Sequence, residues 1–102
     1  MANTFKNYTD TGVGTSPSTS YTVPGSTTSV MIGMTVANVE SSQIVINVQC
    51  AGAYLVKGAA IPSGSSLSVL DGKIILEAAD TVVVTSDTAS SADVIISVLE
   101  QT

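Results

Sequence analysis

Between Gln43 and Cys50 the chain reads QIVINVQC, and its apolar side chains fall on every second residue. A period of two marks a strand with one buried face, because successive side chains point to opposite sides of a sheet. Ile44, Ile46, Val48 and Cys50 are placed inward by this pattern, with Asn47 and Gln49 outward. No segment sustains the 3.6-residue period of an amphipathic helix. The stretch Leu76 to Asp80 (LEAAD) is long enough for one helical turn at most.

Other segments repeat the signal. Thr19 to Val23 sets Tyr21 and Val23 on one face. Ser29 to Asn38 (SVMIGMTVAN) is apolar or small on both faces, as in a central strand, and Gly33 within it signals a bulge or a close backbone approach. Ala53 to Lys57 is a short strand ended by Gly58. Thr81 to Ser86 (TVVVTS) is apolar on both faces. In the last strand, Ala92 to Glu100, Val94, Ile96 and Val98 share one side, and Asp93, Ile95, Ser97 and Leu99 the other. Seven or eight short strands with closely spaced turns predict an all-β fold, an antiparallel β-sandwich or jelly roll.

The most specific local expectation concerns Ile61 to Ser86. Asp71-Gly72 suits a type I′ turn, whose two central residues need positive φ. A two-residue loop there would set Leu70 against Lys73, Val69 against Ile74 and Leu67 against Leu76. Leu67, Val69, Ile74 and Leu76 would then form one apolar patch. Upstream, Ile61-Pro62-Ser63-Gly64 suits a type I turn with Pro in the second position.

A chain of 102 residues fits one domain and can bury roughly two-thirds of its unfolded surface. Charged residues make up only 11%, against about 25% in typical domains, so the surface is polar but lightly charged. Eight acids against Lys6, Lys57 and Lys73 leave a net charge of −5. Three lysines and no arginine cannot form the cationic patch that nucleic acid or an anionic membrane surface requires. No apolar run approaches the ~20 residues of a membrane-spanning helix. The opening MANTFKNYTD lacks the apolar segment of a signal peptide, so synthesis in a cytoplasm is expected, and the lone Cys50 suits that reducing compartment.

Candidate chemistry is sparse. Histidine is absent, and with it the usual general base and the commonest transition-metal ligand. No serine or threonine lies in an activating motif. Cys50 completes an apolar face and is expected to be a buried structural thiol. Asp71, Glu77, Asp80, Asp87 and Asp93 sit at or near strand ends without the spacing of a calcium loop, and serve better as turn residues. Gly12 and Gly14 open no helix and make no phosphate cradle. These residues predict no enzyme, no cofactor and no metal centre. Residues 1 to 18, rich in Thr, Asn, Gly and Ser, are expected to be a flexible arm ahead of a single sandwich domain over 19–102. Phe5 and Tyr8 are its only large apolar groups and its candidate interaction anchors, either frayed or ordered on a neighbouring subunit.

Several segments, in order, resemble small virion proteins of tailed phages. They are Tyr-Thr-Val-Pro at Tyr21 to Pro24, Ala37-Asn38 closing the long strand, and Ile-Pro-x-Gly at Ile61 to Gly64. Leu-Glu-x-x-Asp at Leu76 to Asp80 and the terminal Leu99-Glu100 complete the set, which covers about residues 20 to 100. The resemblance implies a structural component of the particle. Its first form is a head decoration (cement) protein bound to the outer face of the major capsid protein shell. Its second is a neck or tail component, and a module binding host glycan ranks third. It also implies residence in the virion and a homo-oligomer, of which a trimer is one form.

Overall fold

The computed structural model describes residues 2–70 and 72–102 of the chain. Nine strands are present among them: β1 (Asn3–Val13), β2 (Ser18–Thr22), β3 (Thr28–Asn38), β4 (Ile44–Cys50), β5 (Ala53–Ile61), β6 (Ser66–Ser68), β7 (Ile74–Leu76), β8 (Thr81–Ser86) and β9 (Ala92–Gln101). One sheet runs β1-β9-β3-β6, with β7 also on β3, and the other runs β2-β8-β4-β5. All pairings are antiparallel. The pairs nest: β1 with β9, β2 with β8, β3 with β6 and β7, β4 with β5. A long hairpin rolled over on itself gives this order, and that is the jelly-roll form of the sandwich. At the outermost position Ala2 and Thr102 exchange both of their backbone hydrogen bonds, at 3.1 and 3.0 Å.

The alternating residues meet between the sheets. Val94, Ile96 and Val98 of β9, Ile44, Ile46 and Val48 of β4, and Val82 and Val84 of β8 are all at most 1% exposed. Cys50 is buried with them and unpaired. Burial raises the Cys50 thiol pKa above its ordinary value, and the nearby Asp80 charge adds to this, so the thiol is held protonated. In β3 the inward set changes parity, from Ser29 and Met31 to Met34, Val36 and Asn38. The register against β9 shifts between Met31 and Gly33, so the bulge expected at Gly33 is present and turns Ile32 outward.

Three local expectations differ from the structure. First, residues 66–76 do not form a hairpin. Leu67 pairs with Val36 and Ile75 with Val30, so β6 and β7 lie end to end along β3 as one broken edge strand. Counted once, it makes the jelly roll eight-stranded. The free side of β3 accounts for this. Two three-residue strands paired with each other would leave that edge unbonded, whereas laying both along it satisfies β3 on both sides. Asp71 lies outside the described residues, and with it the turn expected at Asp71-Gly72.

Second, Gly58 does not end β5. At φ +71° it forms a bulge, where the partner of β4 skips from Ala59 to Lys57, and its N–H donates to Asn47 Oδ1 at 2.7 Å. The turn after Ile61 is also displaced by one residue: Ser65 N–H donates to Pro62 O, and Gly64 at φ +72° takes the third position.

Third, the arm expected over residues 1 to 18 is a strand of the sandwich from Asn3 onward, paired with β9 from Asn3↔Gln101 to Asp10↔Val94. Its inward residues are polar, which hid the strand from a search for alternating apolar groups.

Replacement of Ile46, wholly buried between the sheets, by Ala should cost about 2–5 kcal/mol in urea unfolding. An exposed position such as Gln43→Ala is expected to stay within about 0.5 kcal/mol of the parent.

Candidate interaction surface

Phe5 and Tyr8 stand three residues apart on β1 and so point to opposite faces. The structure does not bring them together. Phe5 is 74% exposed on the outer face of its sheet, whereas Tyr8 turns inward.

The register places Phe5 beside Leu99, Leu99 beside Val30, and Val30 beside Ile75. Four apolar side chains therefore form one row across all four strand positions of the outer face. Leu99 and Val30 are half-buried, and Ile75 at the far edge is 69% exposed. Ile32, turned out by the β3 bulge, borders a shallow depression with Phe5, Lys6, Asn7, Ser97 and Val98. Ile95 adds a further exposed side chain on β9. A grouped apolar row of this kind is unlike singly scattered apolar surface residues.

Beneath the row, β1 is fastened by a buried carboxylate. Glu100 is only 4% exposed. Its Oε2 accepts hydrogen bonds from Tyr21 at 2.7 Å and Tyr8 at 2.8 Å, and Lys6 Nζ stands 3.5 Å from Oε1. The Tyr21 hydroxyl also lies 3.0 Å from Ser29 Oγ. With its single proton given to the carboxylate, Tyr21 accepts there and Ser29 donates. The two tyrosine rings stack at 4.6 Å between centroids. Burial pushes the Glu100 carboxyl up, but the Tyr21 and Tyr8 hydroxyls and the Lys6 ammonium outweigh it and hold the group below its ordinary pKa. Burial and the facing carboxylate raise both tyrosines, with the contact from Ser29 opposing this at Tyr21.

Among the described residues four further acids, Asp10, Asp80, Asp87 and Asp93, are structural ties. Asp10 Oδ2 accepts from Ser18 at 2.6 Å and Ser20 at 2.8 Å, joining the edges of the two sheets. Asp80 accepts from Glu77 N–H, Asp87 from Val45 N–H and Asp93 from Gly12 N–H. A hollow between residues 11–18 and 89–90 is lined by Thr, Ser, Gly, Ala, Val and Pro and contains no titratable side chain. No group of three His, Cys, Asp or Glu among the described residues is placed to hold a metal ion.

The sequence places Tyr21 on one face of its strand and Glu100 at the end of the last strand, but nothing in it joins the two with Ser29. The signal for Glu100 was available, since the inward series Val94, Ile96, Val98 continues in steps of two onto it.

No family model matches the chain, and no curated protein matches it. Among solved structures the chain is similar to a protein of Bacillus endospore appendages, described as forming a novel family of disulfide-linked pili. The identity is 14% and the TM-score 0.56, over 99% of this chain and 87% of the other. At that identity the likeness shows a shared β-sandwich fold.

The buried cluster sets a pH dependence at both ends of the scale. Glu100 is depressed in the folded state, so its contribution is full above the unfolded value of about 4.3 and is lost as pH falls through the folded value. Tyr8 and Tyr21 are raised, so their contribution is full below about 10 and is lost as pH rises beyond it. Urea unfolding across pH should show both limbs. Glu100→Gln should flatten the acid one, and Tyr21→Phe should cost about 1.5–3 kcal/mol at pH 7.

Proposed function

We propose that the chain is a non-enzymatic structural protein of a tailed-phage virion, a decoration (cement) protein that binds the outer surface of the major capsid shell. The observation that carries this is the apolar row Phe5, Leu99, Val30 and Ile75 on an otherwise lightly charged molecule. Such a row suits contact with a protein surface. The resemblance of several ordered segments to small phage virion proteins supports this kind of partner. Jelly rolls recur in viral capsids, though this is an analogy of fold and not of site. The mechanism is mass action: a protein that binds only the mature shell stabilises it, and many copies let modest contacts add.

A neck or tail component is the second reading, favoured by the likeness to a protein that forms pili. Those pili are disulfide-linked, a route for which this chain offers only the buried Cys50.

Purified protein should co-sediment with expanded, tailless heads at a copy number comparable to that of the capsid subunit. Ile75→Lys, at the edge of the row remote from β1, should weaken that binding about tenfold or more without changing the thermal midpoint. Absence of the protein from tailless heads would overturn the decoration role in favour of the neck or tail.

A further inference from the structure

The sandwich has four edge strands, and three are broken. β2 is five residues long with a register shift between Thr19 and Tyr21. β5 carries Lys57 and two shifts, one of them at Gly58. The β6–β7 edge is two three-residue pieces. Short strands, bulges and lysines are the usual guards against pairing with another chain.

β1 differs. From Asn3 to Asp10 it holds unbroken register with β9, and its shift comes only between Asp10 and Val13. Its one lysine is drawn to Glu100 at 3.5 Å, which neutralises the guard. Ala2 and Thr102 form a doubly bonded pair, so by alternation Thr4, Lys6, Tyr8 and Asp10 bond to β9. Asn3, Phe5, Asn7 and Thr9 therefore direct their N–H and C=O groups to the open side. Beyond them, Asp10 ties this edge to Ser18 and Ser20 of β2 and closes it.

We propose that the open edge of β1 pairs antiparallel with β1 of a second copy, about a two-fold axis at Lys6. The stretch is self-complementary. In this register Asn3 faces Thr9 and Phe5 faces Asn7 of the other copy, so all four outward residues are used at once, giving about eight backbone hydrogen bonds. The two Phe5 rings become diagonal neighbours on the outer face, within reach of each other. Charge points to the same place: on a molecule of net charge −5, residues 3–9 hold one lysine and no acid, so two copies repel least there. The two Lys6 residues meet across the axis as members of separate Lys–Glu pairs.

This deepens the reading of the chain as an assembling subunit, but its test needs only purified protein, so the two fail separately. Sedimentation should show a concentration-dependent dimer. Under mild oxidation Lys6→Cys should form a disulfide dimer, because residue 6 faces itself, whereas Thr4→Cys should not, its counterpart lying about 13 Å away. Asn7→Pro removes an N–H that β9 does not use. It should leave the thermal midpoint within a few degrees and raise the dimer dissociation constant about 30-fold or more. A chain that stays monomeric, a Thr4→Cys that cross-links as fast as Lys6→Cys, or an Asn7→Pro dimer of unchanged affinity would each overturn the proposal. A monomer whose Asn7→Pro variant loses head binding would overturn it in favour of a strand from the shell protein.

Discussion

The sheet that carries the apolar row depends on β9. This strand is bonded on both sides, to β1 through residues 3–13 and to β3 through residues 28–38. Without it neither neighbour would have a partner on that side, and a strand with unpaired N–H and C=O groups in a sandwich interior is costly. Its side chains are divided as strictly as its hydrogen bonds. Ala92, Val94, Ile96, Val98 and Glu100 enter the core, while Ile95 and Leu99 belong to the outer face. One strand thus supplies the centre of the core, the anchor of β1 and the middle of the apolar row.

The placement of a carboxylate at the end of that inward series calls for compensation. Glu100 receives it from three directions: a tyrosine on β2, a tyrosine on β1 and a lysine on β1. A buried charge left unpaired would cost several kcal/mol, so these contacts fix β1 against the sandwich more selectively than apolar packing would. Apolar inward residues would tolerate a shift of β1 by two positions along β9. A shift here would part Tyr8 and Lys6 from Glu100 and Asp10 from Ser18 and Ser20. The polar inner face of β1 therefore sets its register, and with it the position of Phe5 in the outer row.

Where apolar alternation was strong, the sequence foretold the fold. β4 and the inward series of β9 follow directly from it, and so does the sandwich they require. The bulge at Gly33 was legible because a glycine interrupts an otherwise regular strand. Two features were not. β1 carries no alternating apolar signal because its inward residues are Thr4, Lys6, Tyr8 and Asp10, whose partners lie as far as 94 positions away along the chain. The β6–β7 segment carries the local Asp-Gly signal of a hairpin, whereas the free edge of β3 is a tertiary demand that local residues do not display. Of the two anchor candidates, Phe5 is exposed, whereas the three-residue spacing that sends Tyr8 inward has meaning only once both residues lie on a strand.

The doubly bonded pair of Ala2 and Thr102 has a geometric consequence of its own. The two extremities of the described chain leave the molecule side by side, at one corner of one sheet. A tether, tag or additional module attached at either extremity would issue from that corner, beside the edge of β1. A short loop joining the two would close the backbone into a ring without disturbing a single ladder, so new extremities could be opened at an exposed turn elsewhere.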